Sequence, residues 1–108
     1  MNNPDAVVDE ARRNIEELGA VGMQIFTNVG GKPLDLPEFE PFFEYMAQSG
    51  KAVWLHPARG ANFPDYLTEK QSEYEIWWTF GWPYETSSAM ARMVFSGLFD
   101  RNPGLNIV

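Results

Sequence analysis

The chain has 108 residues, of which 44% are hydrophobic and 15% aromatic, and it carries a net charge of −7. That much apolar material excludes a disordered chain, the acidic balance argues against nucleic acid or an anionic membrane surface as a partner, and the length allows one domain or a piece of one. With no cysteine there can be no disulfide, thiolate metal site or cysteine nucleophile, which fits a reducing cytoplasm; the N-terminus reads as no signal peptide, and no apolar run approaches membrane-spanning length.

The first stretch, NPDAVVDEARRNIEELGA, predicts a helix with Val7, Val8, Ala11, Ile15 and Leu18 along one face. Asn3 and Pro4 supply cap and first turn, and Gly19 the stop. VGMQIFTN follows as a strand that is apolar on both sides of its alternation, the pattern of a buried parallel strand. A turn at Gly30–Gly31 leads to a second helix. There Asp35 and Glu38 have capping-box spacing, Phe39, Phe42, Phe43 and Met46 form the sheet-facing side, and Gly50 ends the element. AVWL is a second buried strand running into His56 and Pro57. Residues 58–75 are polar and turn-rich, a long loop. EIWWTFGWPYE reads as a short helix broken at Gly81 and Pro83, and YETSSAMARMVFSGLFDRN as a third long helix with Ala89, Met90, Met93, Val94, Gly97 and Leu98 on one side. PGLNIV opens a third strand. This alternation predicts an α/β fold with about three parallel strands and flanking helices.

His56 is the single histidine of the chain. It sits where a strand ends, the rim on which parallel α/β folds place their chemistry. There it reads either as a metal ligand through one ring nitrogen or as a hydrogen-bonded structural histidine. Arg59, in the same loop, reads as a two-pronged grip for a substrate carboxylate or as a surface arginine paired with an acid. Asn28 closes the first strand as His56 closes the second; it is a substrate hydrogen-bonder on the same rim or a turn residue ahead of the glycines. Trp77, Trp78, Phe80, Trp82 and Tyr84 form a core cluster or an aromatic wall for a planar ligand, with Trp78 as the candidate contact. Glu16–Glu17 and Glu38–Glu40 read as solvated faces. No phosphate loop or serine-nucleophile elbow is present, and no catalytic acid or base stands out.

Two segments, TNVGGKPLDLPEFEPFFEYMAQSGKAVWLHPARG and YEIWWTFGWPYETSSAMARMVFSGLFDRNPGLNIV, resemble the middle of an amidohydrolase-related protein. The branch in question includes aminocarboxymuconate semialdehyde decarboxylase and related aromatic-acid decarboxylases and hydratases. The resemblance covers nearly the whole chain. It implies a partial (β/α)8 TIM barrel over residues 1–108, approximately strands four to six, and a divalent metal, zinc for choice, with His56 as the ligand after the fifth strand. The family's His-X-His pair after the first strand, its histidine after the sixth and its aspartate after the eighth have no counterpart here. A complete barrel takes about 250 residues.

The expectation is therefore a fragment of a metal-dependent enzyme that decarboxylates or hydrolyses a small carboxylated, aromatic or unsaturated acid, inactive as an isolated chain. The alternative is a non-catalytic α/β module that self-associates as a homo-oligomer, or one part of a split barrel.

Overall fold

The computed structural model describes all 108 residues. Helix α1 (Pro4–Arg12) begins as its sequence dictates: the Asn3 side chain accepts from the Asp5 N–H and Pro4 fills the first turn, where a missing donor costs nothing. The helix ends in a π turn, Arg13–Glu17. Here the Asn14 amide donates to the Glu10 carbonyl at 2.7 Å, and Leu18 N–H reaches back five residues to Arg13. The wider turn shifts the helical phase. Val7 and Ala11 are buried as expected, whereas Leu18, expected on the same face, is 62% exposed.

Strand β1 (Gly22–Phe26) is followed by a small hairpin, β2 (Asn28–Val29) with β3 (Lys32–Pro33), turning at Gly30–Gly31. The capping box expected from Asp35 and Glu38 does not form. Asp35 instead receives two hydrogen bonds from Arg92, Glu38 pairs with Lys32, and the chain enters α2 (Glu40–Ser49) through a 3-10 turn, Pro37–Phe39. Phe39, Phe42, Phe43 and Met46 are all buried, as their spacing predicts.

Strand β4 (Ala52–His56) pairs in parallel with β1, from Gly22 opposite Ala52 to Phe26 opposite His56. The long loop then leads to α3 (Ile76–Thr79) and α4 (Gly81–Phe95). Gly81 and Pro83 open α4 rather than breaking a helix, because the first turn needs no N–H from proline. Gly97, expected mid-helix, instead adopts a φ of +75°; it separates α4 from α5 (Leu98–Arg101), a conformation glycine reaches without steric cost. Val94, expected on the packed side of this helix, is 53% exposed, while its neighbour Met93 is fully buried. Strand β5 (Asn106–Ile107) pairs in parallel with β4, giving a sheet order β1-β4-β5.

The two faces of this sheet differ. Side chains alternate along a strand, so Met23, Ile25, Val53, Leu55 and Ile107 share one face, and these pack with the helices into the core. The opposite face presents Gln24, Phe26, Trp54, His56 and Val108; Phe26, Trp54 and Val108 are 53%, 44% and 71% exposed. The expectation of a strand buried on both sides thus holds for only one side of β1. Only 15 of 108 residues are buried, and the radius of gyration is 15.2 Å against about 13 Å for a compact chain of this length. Both follow from a sheet with a single helical layer. No helix is long and apolar enough to cross a membrane.

Helix α5 is tied to the start of α2 by charge. Arg101 donates to both Glu40 carboxylate oxygens at 3.1 and 2.9 Å, and the buried Asn102 amide adds a third bond at 2.7 Å. The Arg101 bonds above all hold the Glu40 carboxyl below its ordinary range, and Asn102 adds to this; Arg92 does the same to Asp35. Depressed carboxylate pKa values stabilise the fold above the unfolded-state values near 4, and that stability is lost as pH falls through the lower folded values. Thermal unfolding is expected to be flat from pH 7 to about 5 and to drop below about 4. Glu40→Gln should cost about 1 kcal/mol at pH 7 and flatten the acid limb, as measured by circular dichroism melts across pH.

Candidate functional site

The C-terminal ends of β1 and β4 lie side by side, and the chemistry-bearing residues collect there. His56 faces the uncovered side of the sheet. Its ring meets the edge of Phe26 on one side (centroids 5.6 Å apart) and Trp82 on the other (5.5 Å). Trp82 in turn meets Trp77 and Trp78 edge-on at 5.8 and 6.1 Å. The aromatic stretch is thus neither plain core nor bare surface: Trp82 is half-buried against His56, while Trp78 and Phe80 are 46% and 71% exposed. The Trp82 indole N–H donates to the Arg59 carbonyl at 2.9 Å, which ties the start of α4 to the loop after β4.

His56 Nδ1 lies 2.7 Å from the Pro57 carbonyl oxygen. A carbonyl only accepts, so in the neutral ring Nδ1 carries the proton and Nε2 keeps its lone pair. That is the nitrogen a metal would take, with the backbone carbonyl holding the other. No group of three or more His, Cys, Asp or Glu side chains gathers in the structure. His56 therefore fits a divalent metal as one ligand, where three or four protein ligands are usual.

Behind the histidine is a polar knot of which the sequence singled out only Asn28. Thr27, buried at 4% exposure, donates its hydroxyl to Glu85 Oε1 and accepts the Ala58 N–H at 3.1 Å. Glu85 Oε1 also accepts from the Asn28 amide at 3.0 Å and from Ala58 N–H at 3.3 Å. Asn28 further accepts the Gly31 N–H at 2.9 Å, so it serves its turn and the knot together. Glu85 lies in the second turn of α4, on the side that meets the ends of β1 and β4. An acid embedded in WPYETSS was the available signal, but the partner lies 58 residues away.

Arg59 runs beneath Gly81, where an added Cβ would come within 2.6 Å of its Cδ. Its guanidinium sits over the Phe63 ring at 5.4 Å. It reaches the Pro64 carbonyl at 3.4 Å and Asp65 at 3.9 Å, both long, and its buried Nε has no partner. Arg59 and Asn28 help line a cleft of about 270 Å³ together with Thr27, Tyr84, Glu85 and Arg92. Neither His56 nor Trp78 is among its walls. The four sequence candidates thus fall into two groups, Arg59 with Asn28 in the cleft and His56 with Trp78 in the aromatic cluster, and the Glu85 knot is part of the cleft wall.

A family model described as amidohydrolase matches residues 1–108. The chain belongs to the amidohydrolase family. It is 37% identical over 107 residues to the 2-amino-3-carboxymuconate-6-semialdehyde decarboxylase of Dictyostelium discoideum, covering 99% of this chain and 28% of that protein. The fold is similar to that of 5-carboxyvanillate decarboxylase from Sphingomonas paucimobilis, with a TM-score of 0.77, 32% identity, and coverage of 97% of this chain and 31% of that one. It is also similar to a dihydroxybenzoic acid decarboxylase from a Polaromonas species, solved with bound manganese and the inhibitor 2-nitroresorcinol, with a TM-score of 0.75, 25% identity, and coverage of 99% and 34%. The chain spans about a third of the length of these relatives. Its three parallel strands and their helices are accordingly a partial (β/α)8 barrel, with the helical layer outside and the uncovered face inward.

The indole bond that ties α4 to the loop is testable. Trp82→Phe keeps a ring against His56 but removes the donor to Arg59, and should destabilise the chain by about 1 kcal/mol in urea unfolding.

Proposed function

We propose that this chain forms part of the active site of a metal-dependent decarboxylase acting on a small aromatic or unsaturated carboxylic acid. The observation that carries the reading is the state of His56: at the end of a parallel strand, caged by Phe26 and Trp82, with Nδ1 committed to Pro57 and Nε2 free. Relatives that are decarboxylases of such acids support it. Hydrolysis or hydration is the related alternative within the family.

In this reading His56 holds the metal through Nε2. A divalent cation, zinc or manganese, supplies a Lewis acid that polarises substrate oxygens. Arg59, at the cleft beyond the loop corner, offers its terminal guanidinium nitrogens, whose contacts to Pro64 and Asp65 are long, to the carboxylate. Asn28 offers a further hydrogen bond, and Trp78, 46% exposed, offers a flat face for a planar ring. The bond from the ring or alkene carbon to the carboxylate breaks, carbon dioxide leaves, and that carbon takes a proton. The group that delivers the proton is not assigned to any residue of this chain.

Manganese titration of the ¹⁵N-labelled chain tests the ligand assignment, since the ion broadens nuclei beside it. The His56 ring signals should broaden first, and His56→Ala should remove that selectivity. Broadening confined to acidic surface residues overturns the assignment. The isolated chain is expected to release no carbon dioxide from 2,6-dihydroxybenzoate, and metal-dependent release would show that one histidine suffices.

A second reading is supported by the uncovered sheet face with Phe26, Trp54 and Val108 exposed. Parallel sheets are normally covered on both faces, and in this reading the cover is a second copy of the chain, as in a homo-oligomer, or a second polypeptide that completes a split barrel. Sedimentation velocity separates the outcomes: a soluble monomer at tens of micromolar, on the order of ordinary assay concentrations, argues against self-association.

A further inference from the structure

The corner His56–Pro57–Ala58 is gripped at both ends by one residue. Thr27 N–H donates to the His56 carbonyl at 2.9 Å, and Thr27 Oγ1 accepts the Ala58 N–H at 3.1 Å. Pro57 between them has no N–H and a fixed φ, so these are the two points at which the corner's backbone can be held from β1. Glu85 completes the grip. Its Oε1 accepts the hydrogen bond of the Thr27 hydroxyl, which aims the hydroxyl lone pairs at Ala58, and shares the Ala58 N–H at 3.3 Å. Asn28 steadies the carboxylate from the other side at 3.0 Å. The consequence falls on the Pro57 carbonyl, whose direction is set by the peptide plane between Pro57 and Ala58. Held by Ala58 N–H at one side of that plane, the carbonyl at the other side meets His56 Nδ1 at 2.7 Å.

We infer that Glu85, acting through Thr27 and Ala58, is a positioning residue that fixes the Pro57–Ala58 peptide so that the His56 ring keeps its proton on Nδ1 and presents Nε2 as the free ligating nitrogen. The inference rests on the proposal that His56 holds a metal, but its physical content, the tautomer, exists without one. A free histidine side chain favours the opposite tautomer, with the proton on Nε2, so the protein has to impose this one. Phe26 and Trp82 restrict the ring's tilt but cannot choose between its nitrogens. Only the carbonyl can, and Glu85 and Thr27 decide where it points.

His56 is the single histidine, so long-range ¹H–¹⁵N spectra of its ring need no assignment. At about pH 8, above the ordinary histidine pKa, the metal-free wild-type chain should show Nδ1 protonated as the major form. Glu85→Ala should lower that form to less than half, and Thr27→Val should do the same. Glu85→Gln, whose amide oxygen still accepts from Ala58 and Asn28, should keep it in the majority. A residue that merely stabilised the fold would lower the melting temperature and leave the ring nitrogens unchanged; that result in a folded Glu85→Ala chain overturns the inference. A wild-type ring protonated on Nε2 overturns it without any variant. If Glu85→Ala does not fold, the comparison passes to Glu85→Gln and Thr27→Val. If the tautomer follows Glu85 while manganese ignores His56, the positioning stands and the metal reading alone fails.

Discussion

The seam between β1 and β4 carries everything described above. It runs from Gly22 beside Ala52 to Phe26 beside His56, and it closes tightly: a Cβ on Gly22 would lie 2.5 Å from the Ala52 carbonyl oxygen. A side chain there would have to push the strands apart at their N-terminal end. Because parallel strands rise together, the register set at Gly22 determines which residues meet at the other end. It brings Thr27 to the level of the His56 carbonyl and Ala58 amide, and sets Phe26 against the imidazole. A slip of one residue would turn His56 to the helical side and Leu55 to the open one.

Polarity is distributed around that seam in a way that suits chemistry at its end. The core below is apolar and rests on Phe42, Phe43, Met46, Val53 and Met93. The rim above holds the backbone groups that the strand ladder leaves over, and these would be costly if buried unpaired. The Thr27, Asn28 and Glu85 side-chain oxygens accept the Ala58 and Gly31 N–H groups there. The outcome is a fixed loop corner where loops are ordinarily the mobile part of a fold, and the His56 ring is anchored to it through Nδ1 and the Pro57 carbonyl.

Arg59 shows the opposite condition. Its stem is pinned by the absent side chain at Gly81 and by the Trp82 bond to its carbonyl, yet its head is under-used, with one buried nitrogen unpaired and its other contacts long. Buried polar atoms without partners are uncommon in folded proteins. The guanidinium stands beside the cleft with only long contacts to the Pro64 carbonyl and Asp65.

Through local patterns the sequence specified the main helices and the three parallel strands in their order, though not the β2–β3 hairpin or the break at Gly97, together with the buried aromatic face of α2, the long loop and the placing of His56 at a strand end. All of these rest on local periodicity, caps and turn residues, which act over a few positions. It also carried the family resemblance, through the His-Pro corner and the Trp-Pro and Ser-Gly-Leu-Phe-Asp segments. What it could not show depends on contacts between distant positions. Asp35 and Glu38 had the spacing of a capping box, but Arg92, 57 residues away, offered Asp35 a two-pronged bond. Leu18 fitted the helical stripe until a π turn changed the phase. Arg59 and His56 are three residues apart in the chain but belong to different surroundings, one at the cleft and one among the aromatics. Glu85 was one acid among fifteen Asp and Glu residues; only the tertiary structure, by laying α4 across the ends of β1 and β4, made its carboxylate a partner of Thr27, Asn28 and Ala58.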